Sequence, residues 1–261
     1  MVDFQIAEKY DAEDLLNIME LLRAPDGCPW DRVQTHQSIR ANMLEEAYEA
    51  ADAIDRMDMD NLKEELGDVL LQVVFHASLA RQAGAFTFDD VVDGICKKLV
   101  YRHPHVFGTA RAGDPEGALS AWDAKKRTEK GQTTTGDAMD SVARALPALT
   151  RASKLQNKAA RAGFDWKDVS PALDKLSEEL EELKEAVREN SNVEEELGDL
   201  LFAAVKVGRF VGVDGESALQ KACEKFIRRF RAVERLAGGA LDGLDVPALE
   251  ALWRRAKEEE T

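Results

Sequence analysis

Apolar residues recur at intervals of three and four positions along nearly the whole sequence, and one such set is Leu15, Ile18, Met19 and Leu22. This spacing places apolar side chains on one face of an α-helix. The strict alternation of apolar and polar residues that is typical of half-buried strands is missing. The pattern therefore predicts an all-α protein.

Several residues predict where helices begin and end. We expect Asp11 to cap a first helix that ends at residues 25–27, and Ser38 to cap a second. Asp60 is expected to cap a third helix, which Gly84 terminates.

The length of the chain and one polar segment predict two domains. The chain has 261 residues, about 1.7 times the ~150 residues of an ordinary domain. Residues 129–137 are small and polar and have no apolar periodicity, as in a linker. We therefore predict helical domains at 1–130 and 139–261, joined by a linker at 131–138.

The two halves of the chain are versions of each other. Leu44-Glu-Glu-Ala-Tyr-Glu49 matches Ser177-Glu-Glu-Leu-Glu-Glu182 at an offset of 133. Glu64-Glu-Leu-Gly-Asp-Val-Leu-Leu71 matches Glu195-Glu-Leu-Gly-Asp-Leu-Leu-Phe202 at an offset of 131. Single residues continue the match: Trp30 with Trp166, Lys98 with Lys225 and Arg102 with Arg229. The repeating unit is thus a whole helical domain rather than a short solenoid module.

Each copy carries four carboxylates at helical spacing. They are Glu46, Glu49, Glu65 and Asp68 in the first half and Glu179, Glu182, Glu196 and Asp199 in the second. Residues three apart share a helix face, so two antiparallel helices, joined by a turn at 58–61 or 190–192, would bring all four together. Such a cluster ionises fully only with cations between its members, and hard oxygen ligands suit Mg²⁺, with Mn²⁺ as a substitute.

An acid-rich helix face is more often solvated surface than a metal site, so the context matters. The second carboxylate-bearing helix of each copy is apolar around much of its circumference, which predicts a core helix. Gly67 and Gly198 lie between its acids, where glycine costs about 1 kcal/mol relative to alanine. Close approach of another helix or of a ligand would explain this cost. The context therefore favours a metal site.

Charge and composition exclude several classes of partner. The 50 acidic and 35 basic residues give a net charge of −15, which repels nucleic acids and anionic membranes. The most apolar stretch, residues 69–80, is too short to cross a bilayer. The three scattered cysteines form no C-x-x-C pair and predict neither a disulfide framework nor a thiolate zinc site. We therefore expect a cytoplasmic protein without nucleic-acid or membrane partners.

The motif E-E-x-x-E, followed by E-x-x-D on the next helix, resembles the MazG family of nucleoside triphosphate pyrophosphohydrolases. Further stretches resemble two-domain bacterial members in the same order: Gly27-Cys-Pro-Trp-Asp31, Arg102-His-Pro-His-Val-Phe107, Gly163-Phe-Asp-Trp166 and Lys225-Phe-Ile-Arg-Arg-Phe-Arg231. The resemblance implies Mg²⁺-dependent cleavage of a nucleoside triphosphate to the monophosphate and pyrophosphate. It also implies tandem helical bundles that a homodimer completes.

The resemblance assigns roles to individual residues and points to the C-terminal copy as the main catalytic domain. It makes Glu179, Glu182, Glu196 and Asp199 the metal ligands of that copy, with the four acids of the N-terminal copy as their counterparts. The nucleotide-contacting positions it implies are Lys175, Leu176, Ser177, Glu178, Glu179, Asn192, Val193, Glu194, Glu195, Lys225, Phe226, Ile227, Arg228, Arg229 and Trp253. Either Glu178 or Glu195 would position the attacking water, and the sequence does not choose between them.

Two other functions are compatible with acid-rich helical bundles. Di-iron bundles require E-x-x-H pairs on two helices, and neither copy has one. A non-catalytic acidic helical module, with a purely structural metal site and a role in dimerisation, is the remaining alternative.

Overall fold

The computed structural model describes residues 4–109 and 113–260, which form thirteen helices and no strand. The predicted all-α class is therefore confirmed. Residues 1–3, 110–112 and 261, which the predicted domains include, lie outside the described part. The chain divides into two compact units, Met1–Lys126 and Arg127–Thr261.

The N-terminal unit is built around one helical hairpin. Its helices are α1 (Ala12–Arg23), α2 (Pro29–Arg32), α3 (Arg40–Asp55), α4 (Met59–Gln82), α5 (Phe88–Arg102), α6 (Pro104–Phe107) and most of α7 (Pro115–Glu129). Helices α3 and α4 form the hairpin, and α1 packs against α4. Met19, Ile39, Val74 and Phe75 form the buried core of the unit.

The C-terminal unit repeats this hairpin. Its helices are α8 (Thr135–Asp140), α9 (Ala148–Arg161), α10 (Ser170–Glu189), α11 (Val193–Phe210), α12 (Gly215–Leu236) and α13 (Val246–Glu258). Helices α10 and α11 form the hairpin, α9 packs against α11, and α12 pairs with α13. Part of the predicted linker at 131–138 is helical, because Thr134 caps α8 by accepting a hydrogen bond from the backbone of Asp137.

Of the five predicted helix boundaries, those at Asp11 and Gly84 are right and those at Ser38 and Asp60 are wrong, and the first helix ends at Arg23, just before residues 25–27. Asp11 caps α1 with a reciprocal capping box, and Gly84 ends α4 with a φ of +68°. Ser38 does not cap α3, because its hydroxyl donates to Gln34 one turn earlier and Ile39 is the N-cap. Asp60 lies inside the first turn of α4, and the side chain of Asp58 is the cap instead.

The turn of the second hairpin lies where the sequence predicts it, whereas the turn of the first hairpin lies elsewhere. Residues 190–192 join α10 to α11, and Asn190 and Asn192 both adopt left-handed backbone conformations. Asparagine tolerates this conformation better than most residues. The turn in the N-terminal unit is 56–58 rather than 58–61, because α4 already begins at Met59.

The second helix of each hairpin is buried only in part, so the expectation of a core helix is wrong over its first half. In α11, Val205 is buried while Leu197 and Leu201 are exposed. A side chain added at Gly198, or at Gly67 in α4, would meet no atom within 4 Å. The described part of the chain therefore does not crowd these glycines. Among the described residues, no helix combines the length and the apolar composition needed to cross a membrane.

Candidate active site

The α10–α11 hairpin brings together three of the four predicted carboxylates of the C-terminal copy. One oxygen from each of Glu179, Glu196 and Asp199 lies within 4.8 Å of the other two. Glu179 comes from the middle of α10, and the other two come from the first two turns of α11, where the short turn at 190–192 sets the register. This arrangement offers three oxygen donors to one cation.

Glu179 is the most buried member of this cluster, with an exposed fraction of 6%. Its Oε1 lies 2.8 Å from the ammonium of Lys175. Its Oε2 is also buried, and no described residue donates a hydrogen bond to it. A buried carboxylate oxygen without a partner is costly, so this atom fits a cation ligand.

Lys175 lies between two carboxylates. Its ammonium is 2.8 Å from Oε1 of Glu178 and 2.8 Å from Oε1 of Glu179. Hydrogen bonds to Glu178 and Glu179 raise the pKa of Lys175 well above its ordinary value. The lysine therefore stays charged and supplies a fixed cation beside the cluster.

Glu182 lies at the edge of the cluster rather than within it. It is exposed and is not among the three residues whose oxygens converge. Desolvation, followed by the charge of Glu179, raises the pKa of Glu182. The carboxylate is therefore close enough to Glu179 to be repelled by it.

The N-terminal hairpin holds a similar cluster, in which Glu49, the counterpart of Glu182, takes part and Asp68, the counterpart of Asp199, does not. One oxygen from each of Glu46, Glu49 and Glu65 lies within 4.8 Å of the other two. Desolvation and the charge of Asp68 raise the pKa of Glu46, and desolvation and the charge of Glu49 raise that of Glu65. All four predicted carboxylates of this copy therefore interact.

A pocket of about 210 Å³ opens beside the C-terminal cluster. Glu179, Asp199 and Lys175 form its polar side. Its other walls are Phe164, Trp166, Ala172, Phe202, Ala203 and Lys206. The pocket therefore combines carboxylates and ammonium groups with aromatic faces.

Lys206 is a site residue that the sequence reasoning missed. Its ammonium lies 2.8 Å from Oδ1 of Asp165 and 5.3 Å from the ring centre of Trp166. Arg209 pairs with the other oxygen of Asp165. Although desolvation opposes the change, hydrogen bonds from Lys206 and Arg209 lower the pKa of Asp165. The spacing offered a signal, since Lys206 follows Asp199 by seven residues and so shares its helix face.

The two segments predicted to flank the metal ligands lie on the hairpin itself. Lys175, Leu176, Ser177 and Glu178 occupy the turn of α10 before Glu179, and Asn192–Glu195 form the start of α11. Glu178 and Glu195 are both exposed and are outside the two groups of converging oxygens. The choice of a water-positioning base between them stays open.

The arginines of the basic stretch of α12 pair with Glu260 rather than with an acid of the cluster. Arg229 pairs with Glu260 at 2.7 Å and Arg228 lies 3.7 Å from the same carboxylate. Among the described residues, no ion pair joins Lys225, Arg228 or Arg229 to the cluster. Trp253 packs against the α12–α13 core, with its ring centre 5.3 Å from that of Phe226.

Comparisons with known proteins identify the family to which this chain is related. The model of the MazG nucleotide pyrophosphohydrolase domain matches residues 34–107 and 167–233, once in each unit. The chain is 47% identical over 248 residues to the nucleoside triphosphate pyrophosphohydrolase/pyrophosphatase MazG of Thermotoga maritima, covering 94% of this chain and 95% of the relative. It is 46% identical over 254 residues to the nucleoside triphosphate pyrophosphohydrolase of Escherichia coli, covering 94% and 97%.

A third relative is the uncharacterized protein YabN of Bacillus subtilis, which is 46% identical over 251 residues and of which the match covers 51%. The two domain matches include all eight carboxylates that the sequence analysis predicted for the two copies. The chain therefore belongs to the MazG nucleotide pyrophosphohydrolase family.

Proposed function

We propose that the C-terminal unit hydrolyses nucleoside and deoxynucleoside triphosphates to the monophosphate and pyrophosphate in a Mg²⁺-dependent reaction. The observation that carries this proposal is the buried, partnerless Oε2 of Glu179, which belongs to a three-carboxylate cluster on the wall of an aromatic pocket. The Thermotoga and E. coli relatives, both named as nucleoside triphosphate pyrophosphohydrolases, support the same reaction.

Glu179, Glu196 and Asp199 would hold the metal, and Glu182 would join them with a small rotation of its exposed side chain. An all-oxygen, all-carboxylate donor set suits Mg²⁺, and Mn²⁺ is the expected substitute. When bound, the metal supplies charge neutralisation on the phosphates and acidification of a water molecule.

The chemistry needs no covalent nucleophile. The oxygen of a water attacks the α-phosphorus, the bond from that phosphorus to the α–β bridging oxygen breaks, and pyrophosphate leaves with the electron pair. Glu178 or Glu195 would orient the water and accept its proton. Lys175, which carries a fixed charge beside the cluster, would neutralise charge that develops on the phosphates.

The basic residues of α12 are proposed as further phosphate contacts. Arg228 and Arg229 share one acid, Glu260, so at least part of their charge is free to pair with a phosphate. Lys225 has no ion pair among the described residues and is available as well. Trp253 is proposed only as a support for this helix pair, because it packs into the α12–α13 core.

We also propose that the protein is a homodimer. In the C-terminal unit Leu197 and Leu201 on α11 and Leu180 and Val187 on α10 are exposed, although each is large and apolar. Large apolar side chains exposed on both helices of a hairpin favour burial against a partner. A second copy of the same hairpin would cover it. Sedimentation at micromolar concentration tests this, and a fully active monomer would contradict it.

The reaction is tested by incubating purified protein with Mg²⁺ and a panel of common and modified nucleoside triphosphates. We expect equimolar monophosphate and pyrophosphate, and no products in EDTA. Diphosphate and inorganic phosphate as products would contradict cleavage at the α–β bond. The absence of turnover across the panel, together with metal binding, would favour the non-catalytic metal-binding and dimerisation module.

A further inference from the structure

A pocket of about 270 Å³ lies between α1, α4 and the start of α5 in the N-terminal unit. None of the residues of the two carboxylate clusters lines it. Its apolar wall consists of Leu16, Val74, Ala77 and Phe88, and its polar wall includes Glu20, Ser78 and Arg81. The pocket therefore offers an apolar surface together with charged groups of both signs.

The C-terminal unit closes the corresponding place by direct packing of its helices. Residues of α5 precede their α12 counterparts by 127, so Phe88 corresponds to Gly215. A Cβ atom added at Gly215 would lie 3.5 Å from Cγ2 of Val205 on α11 and 4.0 Å from Cβ of Leu149 on α9. Three helices therefore meet closely at this glycine. In the N-terminal unit Phe88 takes its place, and the pocket lies beside it.

Ser78 is the residue of the polar wall that points most directly to a ligand. It is 4% exposed, and its hydroxyl has no hydrogen-bond partner among the described residues. A serine inside a helix can donate to the carbonyl one turn earlier, but Ser78 does not. An unsatisfied buried hydroxyl is costly. A polar group of a ligand in the pocket would supply the missing partner.

Arg81 and Glu20 place opposite charges side by side at the pocket. Nη2 of Arg81 donates to Oε2 of Glu20. An arginine has five N–H donors and a carboxylate has two acceptor oxygens, so each group can bond to a further partner. The side chains of Arg81 and Glu20 are 54% and 34% exposed, which keeps them accessible. The pair can therefore bind a carboxylate through its arginine and an ammonium group through its glutamate.

The start of α5 adds backbone donors to the same wall. Thr87 caps this helix by accepting from the backbone N–H of Asp90. The N–H groups of Phe88 and Asp89, in the first turn, have no acceptor within the helix, and the positive end of the helix dipole favours an anion there. Asp89 also lines the pocket, and its carboxylate can accept from an ammonium group.

We propose that this pocket binds a free amino acid with an apolar side chain. The carboxylate of the ligand would bond to the Ser78 hydroxyl, to Arg81 and to the start of α5. Its ammonium group would bond to Glu20, and its side chain would lie on the apolar wall. The pocket is smaller than the roughly 300–1,000 Å³ typical of sites for drug-sized ligands, which suits a ligand of this size. The inference does not depend on the proposed function, because it involves no residue of the carboxylate clusters.

The experiment compares three probes that share one apolar chain. Leucine carries both charged groups, 4-methylpentanoate lacks the ammonium group, and 3-methylbutylamine lacks the carboxylate. Each probe is titrated into the full chain in EDTA by calorimetry, with valine, methionine and phenylalanine as further amino acids. We expect leucine to bind at one site per chain and to raise the unfolding temperature. Each analogue is expected to bind at least about 10-fold more weakly than leucine, because it lacks a hydrogen-bonded charged group.

Ser78→Ala separates a role in binding from a role in folding. Without ligand the variant is expected to be at least as stable as the wild type, because it removes an unsatisfied buried hydroxyl. Its Kd for leucine is expected to rise by about 10- to 150-fold, because a hydrogen bond to a charged group is lost. Arg81→Gln is expected to weaken leucine binding to a similar extent. Arg56→Gln is the matched control, since Arg56 pairs with Asp52 in the same unit and does not line the pocket.

Three results would overturn the proposal. The absence of binding by all four amino acids would exclude the ligand class. Equal affinity for leucine and for either analogue would exclude recognition of both charged groups. Wild-type affinity for leucine in both Ser78→Ala and Arg81→Gln would exclude this pocket as the site. Pyrophosphate release is not a readout of the experiment, so a failure of the proposed function is distinguishable from a failure of this inference.

Discussion

The ammonium of Lys175 lies 2.8 Å from Oε1 of Glu179, while Oε2 of the same buried carboxylate has no hydrogen-bond partner among the described residues. One oxygen of Glu179 is therefore neutralised by the protein, and the other is available to a cation. We therefore expect the stability of the hairpin to depend on Lys175 and on the proposed metal.

Replacing Lys175 with methionine tests this dependence. In EDTA, Lys175→Met is expected to lower the unfolding temperature because Glu179 then lacks its ammonium partner. Mg²⁺ is expected to raise the unfolding temperature of the variant by more than that of the wild type. Lys184→Met is the control, because Lys184 pairs with Glu181 and both side chains are more than half exposed. Equal unfolding temperatures of Lys175→Met and wild type in EDTA would contradict the role given to Lys175.

The two clusters are distinguished by matched substitutions. Glu196→Gln removes one ligand charge with little change in volume, and we expect it to reduce turnover by about 10²–10³-fold, as for removal of one group that stabilises transition-state charge. Glu65→Gln, at the corresponding position, is expected to cost much less. Pyrophosphate release by both variants provides the measurement. The reverse result would assign catalysis to the N-terminal copy, and equal partial losses would indicate two working sites.

We expect Glu182→Gln to change the stability of the protein in a pH-dependent way, and the sign of this change to depend on whether metal is present. Desolvation and then the charge of Glu179 raise its pKa above the ordinary value of 4.5. A carboxyl group whose pKa is raised in the folded state favours the fold when it is protonated. This contribution is complete below the pKa of the group in the unfolded chain, and it is lost as the pH rises through the folded-state pKa. In EDTA, Glu182→Gln is therefore expected to be more stable than wild type at neutral pH, and the difference should vanish as the pH falls to about 4.5.

Thermal unfolding in EDTA and in Mg²⁺ checks this prediction. With Mg²⁺ the sign should reverse, because the variant would lack one of the proposed metal ligands. Glu185→Gln removes the same charge from the same helix and is the matched control for the effect of net charge. A destabilised Glu182→Gln in EDTA at neutral pH would contradict a raised pKa of Glu182 in the folded state.

Asp165 is expected to stabilise the wall of the pocket. Its carboxylate pairs with Lys206 and Arg209, and all three side chains are less than one-fifth exposed. Asp165→Asn is expected to lower the free energy of unfolding by about 1–2 kcal/mol. Because Lys206 and Arg209 lower the pKa of Asp165 despite its desolvation, this stability is present above about pH 4 and is lost as the pH falls further.

Denaturant unfolding as a function of pH measures this effect. Asp168→Asn is the control, since Asp168 bonds only to the nearby backbone of Ser170 in the described part of the chain. A difference between Asp165→Asn and wild type that grows below pH 4 would contradict the prediction.

Local patterns in the sequence predicted the helical class and some of the helix boundaries. The helical class and the cap at Asp11 depend on residues within a few positions of one another, and such interactions are the same in any fold. The predicted caps at Ser38 and Asp60 failed because several polar residues compete near each helix start. Which of them accepts from the helix backbone depends on the path of the chain before the helix.

The convergence of the carboxylates also followed from the sequence. Two helices with E-x-x-E and E-x-x-D spacing and a turn of a few residues can meet in only a few registers, so four carboxylates were expected to lie together. Three of them converge, and Glu182 lies at the edge. The burial of Glu179 and its bond to Lys175 were not predicted. They depend on how α10 packs against α11, which spacing along one helix does not determine.

The sequence by itself determined an all-α chain with two related halves, each with a set of acids at helical spacing, because helical periodicity and internal repetition are local or linear properties. Only the tertiary structure decided that Arg228 and Arg229 pair with Glu260 and that Lys206 and Trp166 line a pocket beside the cluster. It alone revealed the pairing of His36 with His76, whose Nδ1 atoms are 2.8 Å apart although the residues are forty positions apart. Contacts between distant segments depend on the angles and separations at which whole helices pack, and side-chain volumes throughout each unit set those quantities together.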